Sequence, residues 1–421
     1  MSFLPPDLYG FWAEWLRPSA GLPTVLWSLL LAVAAAAGHL VQRYLGMPKV
    51  VGYSMVGTVV GFAGFEGAIW PLQGISLFLL ELGVAIVLFE AGGRLPLRWF
   101  RHNPQVLLQS LLEAALTYFG VFWTLHWMGV PDPVSNPIAL IAIVASPAVL
   151  SRVILDTRAS GPVTERAMTL ATLNTFYALA LGYAQAGLIE RAPAGLMDKL
   201  YPIGVVLGMS FVVGGIMALA LRSALRVMSP TSENTSILLL AIIAAGAALA
   251  AHFGGSAPLA ALIGGILLKQ LNPKPWAWPR QLGTAASLLT MLMFVLVSIV
   301  AAQADWSLPV ASVVVAVIAV RAVAKIAGVA IANPGSGASW KQAFWVGCAM
   351  SPLSSIALLI ASNFVTASPL LGAMITQVAL PAILVMEVLG AVLATVAIHA
   401  SGESSKPWTP EAFGRQEDNA R

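Results

Sequence analysis

From Leu22 to Ala400 the chain is a near-continuous succession of apolar stretches about twenty residues long, the length at which a helix crosses about 30 Å of hydrocarbon. Few patterns restrict a fold so severely. Inside a bilayer every backbone amide and carbonyl must find its partner within the protein, so only helices and closed barrels span it. Barrel strands alternate apolar and polar side chains over about ten positions. Runs such as Leu238 to Ala251 are instead apolar all round. Helices are therefore predicted throughout, with only 10% charged residues against about 25% in soluble domains. No soluble domain fits between the spans.

Glycine, proline and charge punctuate the apolar run into about thirteen predicted transmembrane helices, the first beginning near Leu22 and the last near Pro369. With the N-terminus outside, seventeen of the 22 lysines and arginines fall on the cytoplasmic side. Arg17, Arg191 and Lys199 fall outside, and Arg321 and Lys325 lie within a span. That positive-inside bias predicts a multi-pass protein of the inner cell membrane with a cytoplasmic C-terminus. Met1 to Leu22 has no basic region before an apolar stretch and no small-residue cleavage site, so no removable signal peptide is expected. Residues 401–421 read as a polar cytoplasmic tail.

The same loop charges account for the pI of about 9.3. The lipid bilayer is thus an expected partner and nucleic acid is not. Cys348 is the single cysteine and permits no intrachain disulfide. His39, His102, His126, His252 and His399 show no metal-ligand spacing. No His-Glu-x-x-His or Gly-x-Ser-x-Gly stands on a span. Neither a metal, a cofactor nor an enzyme is predicted. Tryptophans near span ends, including Trp70, Trp99, Trp127, Trp276 and Trp306, read as interfacial anchors.

Two spans carry Ser-Pro near their middles: Ala145-Ser146-Pro147-Ala148 in the fifth and Met350-Ser351-Pro352-Leu353 in the twelfth. Proline removes an amide donor and collides with the carbonyl four residues back, so each helix should break there. Seven crossings separate the pair, which makes the two segments run in opposite directions through the membrane. Matched interruptions in inverted halves are the best sequence pointer to a transporter's binding site.

Around these breaks the sequence resembles the monovalent cation:proton antiporter-2 family, of the sodium/hydrogen exchanger fold. Met47-Pro48-Lys49-Val50-Val51-Gly52-Tyr53 resembles its loop into the second helix, and Glu81-Leu82-Gly83-Val84-Ala85-Ile86-Val87-Leu88-Phe89 its third helix. Ser256-Ala257-Pro258-Leu259-Ala260-Ala261-Leu262-Ile263-Gly264-Gly265 is similar to its Ser-Pro-x-x-Gly-Ala-Phe-x-x-Gly segment. The resemblance implies an all-α polytopic fold with an inverted repeat and two crossing broken helices. It also implies scaffold helices at about 22–92 and 236–302, core helices at about 105–190 and 308–400, and a homodimer. The implied activity is exchange of Na⁺ or K⁺ for protons by alternating access. An acid on the sixth span would carry the ion, and a basic residue on the eleventh would answer it.

On the sixth span the family pattern has a carboxylate where this chain reads Asn174-Thr175. A hydroxyl can ligate a hard cation but cannot exchange a proton near neutral pH. Lys325 matches the family's membrane lysine, and Arg321 lies one turn away on the same face. Both can act on the ion or neutralise half-helix carbonyl ends.

Among the intramembrane acids, Glu81 and Glu90 read as structural and Glu387 as lying near the cytoplasmic side. Glu113, mid-span on the fourth helix, is the preferred replacement acid. The predicted ion site is therefore Glu113 or Lys325 as proton carrier, with oxygen ligands from Ser146, Asn174, Thr175 and Ser351 at the Pro147 and Pro352 breaks, and Arg321 beside them. An anion transporter on the same fold, or a non-transporting sensor that has lost its coupling acid, are the alternatives.

Overall fold

The computed structural model describes residues 21–406 apart from 66, 96, 98, 99, 101, 102, 190–194, 230, 231 and 273–279, with 21–24 and 280–285 described as backbone only. The expectations for Arg17, Trp99, His102, Arg191, Trp276 and the tail beyond Lys406 lie outside the described residues. Within them the chain is helical, without strands.

Helix α1 (Gly21–Leu40) runs on through a π-helical turn (Val41–Leu45), and α2 (Lys49–Phe62), α3 (Gly74–Arg94) and α4 (Pro104–Trp127) follow. The fifth span is two helices, α5 (Asp132–Ile143) and α6 (Pro147–Thr157). Next come α7 (Pro162–Ala186), the long α8 (Leu196–Val227), α9 (Glu233–His252), α10 (Ala257–Leu271), α11 (Arg280–Ala302) and α12 (Leu308–Ile331). The twelfth span is again divided, into α13 (Trp340–Ala349) and α14 (Ser355–Ala367), before α15 (Pro369–Ala400) closes the bundle. Among the described residues eight spans, counting α5 and α6 as one, are long and apolar enough to cross a membrane. Among the described residues, Lys49–Phe62, Ala257–Leu271 and Ser355–Ala367 are shorter apolar helices.

The helix starts follow from local chemistry. Proline stands in the first turn of α4, α7 and α15, where its missing amide costs nothing. Ser339 and Gln342 form a reciprocal capping box at the head of α13.

Packing repeats across the two halves. The second span lies on the tenth (α2 on α11), the third on the ninth (α3 on α10), and α4 lies against α12, its own counterpart. This exchange of partners is what an inverted repeat of spans one to six on spans eight to thirteen requires.

The chain's last described residues return to the bundle. The Glu403 carboxylate accepts from the backbone amides of Val163 and Thr164 at 2.7 Å each, and from the Thr164 hydroxyl at 2.7 Å. It occupies the place of an N-cap and puts negative charge at the positive end of α7. Ser404 and Ser405 donate to the carbonyls of Thr157 and Arg158 at the end of α6. Glu403→Ala should cost about 0.5–2 kcal/mol, as loss of a cap does. A thermal melt of detergent-solubilised protein reads this directly, and an unchanged midpoint would show the clasp to be energetically idle.

Candidate ion site

Both predicted breaks are real interruptions and they touch. After Ile143, residues Val144 to Ser146 leave helical geometry, and α6 starts with Pro147 in its first turn and Ser146 as its cap. The Ser146 hydroxyl accepts from the Val149 amide at 3.4 Å. Its own amide donates to the Pro352 carbonyl at 2.9 Å, directly joining one break to the other. In the second break Met350 to Ser354 are non-helical and buried, with Pro352 in the middle of the unwound segment rather than at the start of a helix.

Interrupting a helix leaves carbonyls without amide donors, and at membrane depth those acceptors must be met by protein. Arg321 meets them. Its guanidinium donates to Ala142 (2.9 Å), Val144 (2.6 Å), Ser351 (2.5 Å) and Pro352 (3.3 Å), all main-chain carbonyls and two from each break. The planar fork of five donors is the one side chain able to serve so many acceptors at once. Arg321 is 1% exposed, and its charge is spread over the negative ends of α5 and the second break. Of its two readings, the neutralising one describes this geometry.

One turn on, Lys325 does something different. Its ammonium lies 2.7 Å from Oε1 of Glu113 and donates to the Ile143 carbonyl at 3.1 Å. Glu113 and Lys325 are both fully buried. Helices α4 and α12 approach closely enough for this pair because position 328 is glycine: a Cβ there would stand 2.4 Å from Cα of Glu113.

The remaining oxygen of Glu113 points at the sixth span. Nδ2 of Asn174 donates to Oε2 of Glu113. The Asn174 carbonyl oxygen accepts from Ser110 at 3.0 Å, which fixes the orientation of the amide. Thr117 donates to Oε1 of Glu113 at 2.9 Å, and the Thr175 hydroxyl donates to the Ala145 carbonyl in the first break at 3.1 Å. The carboxylate absent from position 175 thus stands beside Asn174 after all, delivered by a different helix.

Of the predicted residues, the structure brings Glu113, Lys325 and Asn174 into one hydrogen-bonded cluster. It sets Ser146, Pro147, Thr175, Arg321, Ser351 and Pro352 around that cluster as the walls of the crossing. Several predicted oxygen ligands are engaged as they stand: Ser146 caps α6, Thr175 bonds the break, and Ser351 offers its carbonyl to Arg321. Glu387 is misplaced by the sequence reading. It lies near the middle of the 32-residue α15, fully buried, with its carboxyl turned to Ser298 of α11 and Ser354 of the second break. Counting from Pro381 put it too near a membrane face. Its only signal in the sequence was that it is an acid in an otherwise apolar span. Among the described residues no group of three or more His, Cys, Asp or Glu side chains is placed to hold a metal.

Two cavities approach the cluster from opposite ends of the bundle. One of about 840 Å³ opens between α4, α5, α7 and α8 beside Lys199, and reaches Ala114, next to Glu113 in the chain, and Ile143, whose carbonyl accepts from Lys325. Another of about 560 Å³ lies between α3, α6 and α7, and ends at Thr172, two residues from Asn174.

This helical fold has solved counterparts. The profile of the transmembrane sodium/hydrogen exchanger family matches residues 28–400. The chain belongs to that family. It is therefore a multi-pass membrane protein of a transporter family and not an enzyme.

Two structures of the sodium proton antiporter MjNhaP1 from Methanocaldococcus jannaschii are similar to it. The one determined at pH 8 is 15% identical with a TM-score of 0.64, covering 90% of this chain and 98% of the antiporter. The one from electron microscopy is 16% identical with a TM-score of 0.71, covering 92% and 100%. At such identities the likeness is one of fold. No curated protein matches the sequence.

Proposed function

We propose that this exchanger-family protein is a monovalent cation:proton antiporter, taking Na⁺ or K⁺, in which Glu113 and Lys325 together are the coupling group. The observation that carries the reading is their fully buried contact at 2.7 Å. A buried charge must be compensated, so the carboxylate needs either the ammonium or a cation beside it. When an alkali cation takes that place, bound by Glu113 and the surrounding oxygens, Lys325 is left without its counter-charge and gives up its proton to water. Return of the proton to Lys325 expels the cation. Cation and proton are thereby alternative partners of one carboxylate, which is the condition for exchange rather than leak.

The two cavities supply approach from either side, and alternating access would come from core helices at about 105–190 and 308–400 moving against the scaffold helices in a dimer. The anion alternative draws no support from the site, because both basic side chains are committed to carboxylate and carbonyl oxygens.

Dequenching of a pH-sensitive dye in proteoliposomes on addition of Na⁺, K⁺ or Li⁺ tests this. Wild-type protein should exchange, and Glu113→Gln should not at any pH. Exchange that persists undiminished in both Glu113→Gln and Lys325→Ala would remove the pair from the mechanism. Exchange that appears only in Thr175→Asp would favour the non-transporting alternative.

A further inference from the structure

Among the described residues the ion-pair site leaves one fully buried acid unused. Glu387 is fully buried on α15, and its two oxygens look in different directions: Oε2 accepts from the Ser298 hydroxyl of α11 at 3.1 Å, and Oε1 from the Ser354 hydroxyl of the second break at 3.2 Å. A third hydroxyl, that of Ser54 on α2, also acts on this carboxyl. It is fully buried and its oxygen is left without a well-formed hydrogen bond. Among the described residues Glu387 makes no ion pair, although α2, α5, α6, α11, α12, α13 and α14 all pack against α15. The basic residues Arg321 and Lys325 of α12 are spent on the breaks and on Glu113.

The backbone is held so that these groups stay together. Gly390, one turn after Glu387, lies against the second break, where a Cβ would stand 2.5 Å from Cα of Pro352. Hydroxyls donating to a settled carboxylate usually stand about 2.5–2.7 Å away. The observed 3.1 and 3.2 Å describe a wider cage than such a network needs. A carboxyl buried in apolar surroundings is stable when it holds a proton or when a cation stands beside it. With no cation of the protein's own, the carboxylate and three serine hydroxyls amount to a set of hard oxygen ligands, the set that suits an alkali ion rather than a transition metal.

We propose that Glu387, Ser54, Ser298 and Ser354 form a second site, distinct from the Glu113 and Lys325 pair, that holds either a proton or a small alkali cation such as Na⁺. As the ion enters, the carboxyl O–H bond breaks and the proton leaves to water. The hydroxyls, of which one accepts the acid's single O–H while the others donate to its oxygens, then turn their lone pairs to the cation. Two of the four ligands come from α2 and α11, and two from α15 and the broken span, so occupancy ties the ion-site helices to the helices beside them.

Infrared difference spectra of reconstituted protein, recorded on addition of NaCl across a pH series, test the site without reading flux. Na⁺ should abolish a protonated-carboxyl C=O signal that is missing from Glu387→Gln and retained in Glu113→Gln. Ser54→Ala and Ser298→Ala should each raise the Na⁺ concentration for half-loss about tenfold, equivalent to about 1.4 kcal/mol. Those two variants keep the carboxyl, and they carry the test if Glu387→Gln does not fold. A Glu387 signal indifferent to Na⁺, Li⁺ and K⁺ at every pH would overturn the proposal, as would wild-type titration in both serine variants. Because occupancy is read, the signal would survive even if exchange through Glu113 and Lys325 proved wrong.

Discussion

Arg321→Ala should leave little protein that can be extracted in folded, monodisperse form. The guanidinium is the donor for four buried carbonyls, two in each break. Each acceptor stranded without a partner costs about 1–3 kcal/mol, so two that water fails to reach would remove about 2–6 kcal/mol. That is a large part of a total stability of about 5–15 kcal/mol.

Arg321→Lys should recover only part of the loss, because an ammonium on a flexible stem keeps the charge but cannot serve acceptors on both breaks together. Size-exclusion profiles and melting midpoints of the two variants beside wild type provide the comparison. Near-normal midpoints in Arg321→Ala would mean that water satisfies the crossing and that the arginine is dispensable to the fold.

The second large effect belongs to the buried pair, and it has an internal control. Lys325→Met and Glu113→Gln each strand one charge, at a cost of about 3–5 kcal/mol. The double variant strands none and should regain most of that stability, while all three should lack cation-coupled proton movement. Acidity separates the singles. An unpaired carboxylate is relieved by taking up a proton, so Lys325→Met should gain stability as pH falls. An unpaired ammonium is relieved by losing one, so Glu113→Gln should gain stability as pH rises. Melting midpoints of the four proteins across pH complete the cycle. Additive losses in the double variant would mean that the 2.7 Å contact contributes no coupling.

What the sequence could say about this site depended on whether the information was local. Ser146-Pro147 and Ser351-Pro352 announce their breaks because proline acts on its own helix within four residues. The apolar spans likewise declare themselves one at a time. Glu113 could be ranked above Glu81 and Glu90 by its mid-span position on an expected core helix, with Glu90 beside Arg94.

The partner of Asn174 was not legible, since nothing along α7 tells which neighbouring helix offers an oxygen. Glu113 was already the preferred replacement for the acid missing at Thr175, but its contact with Asn174 appears only in the fold. Arg321 could be read two ways because only three-dimensional proximity reveals which carbonyls it reaches. Glu387 was misjudged for a related reason. Depth counted along a single helix assumes a length for that helix, and α15, at 32 residues, is longer than a minimal span.

The clasp made by Glu403 bears on how the molecule is made as well as on how it is held. The amides it receives at the head of α7 belong to residues translated 240 and 239 positions earlier. During synthesis α7 therefore enters the bilayer with its first turn open. It stays so until the final span has been threaded and the segment behind it has emerged from the ribosome. Closure of that end is a late event in biogenesis, available only to a chain whose last helix has reached its place.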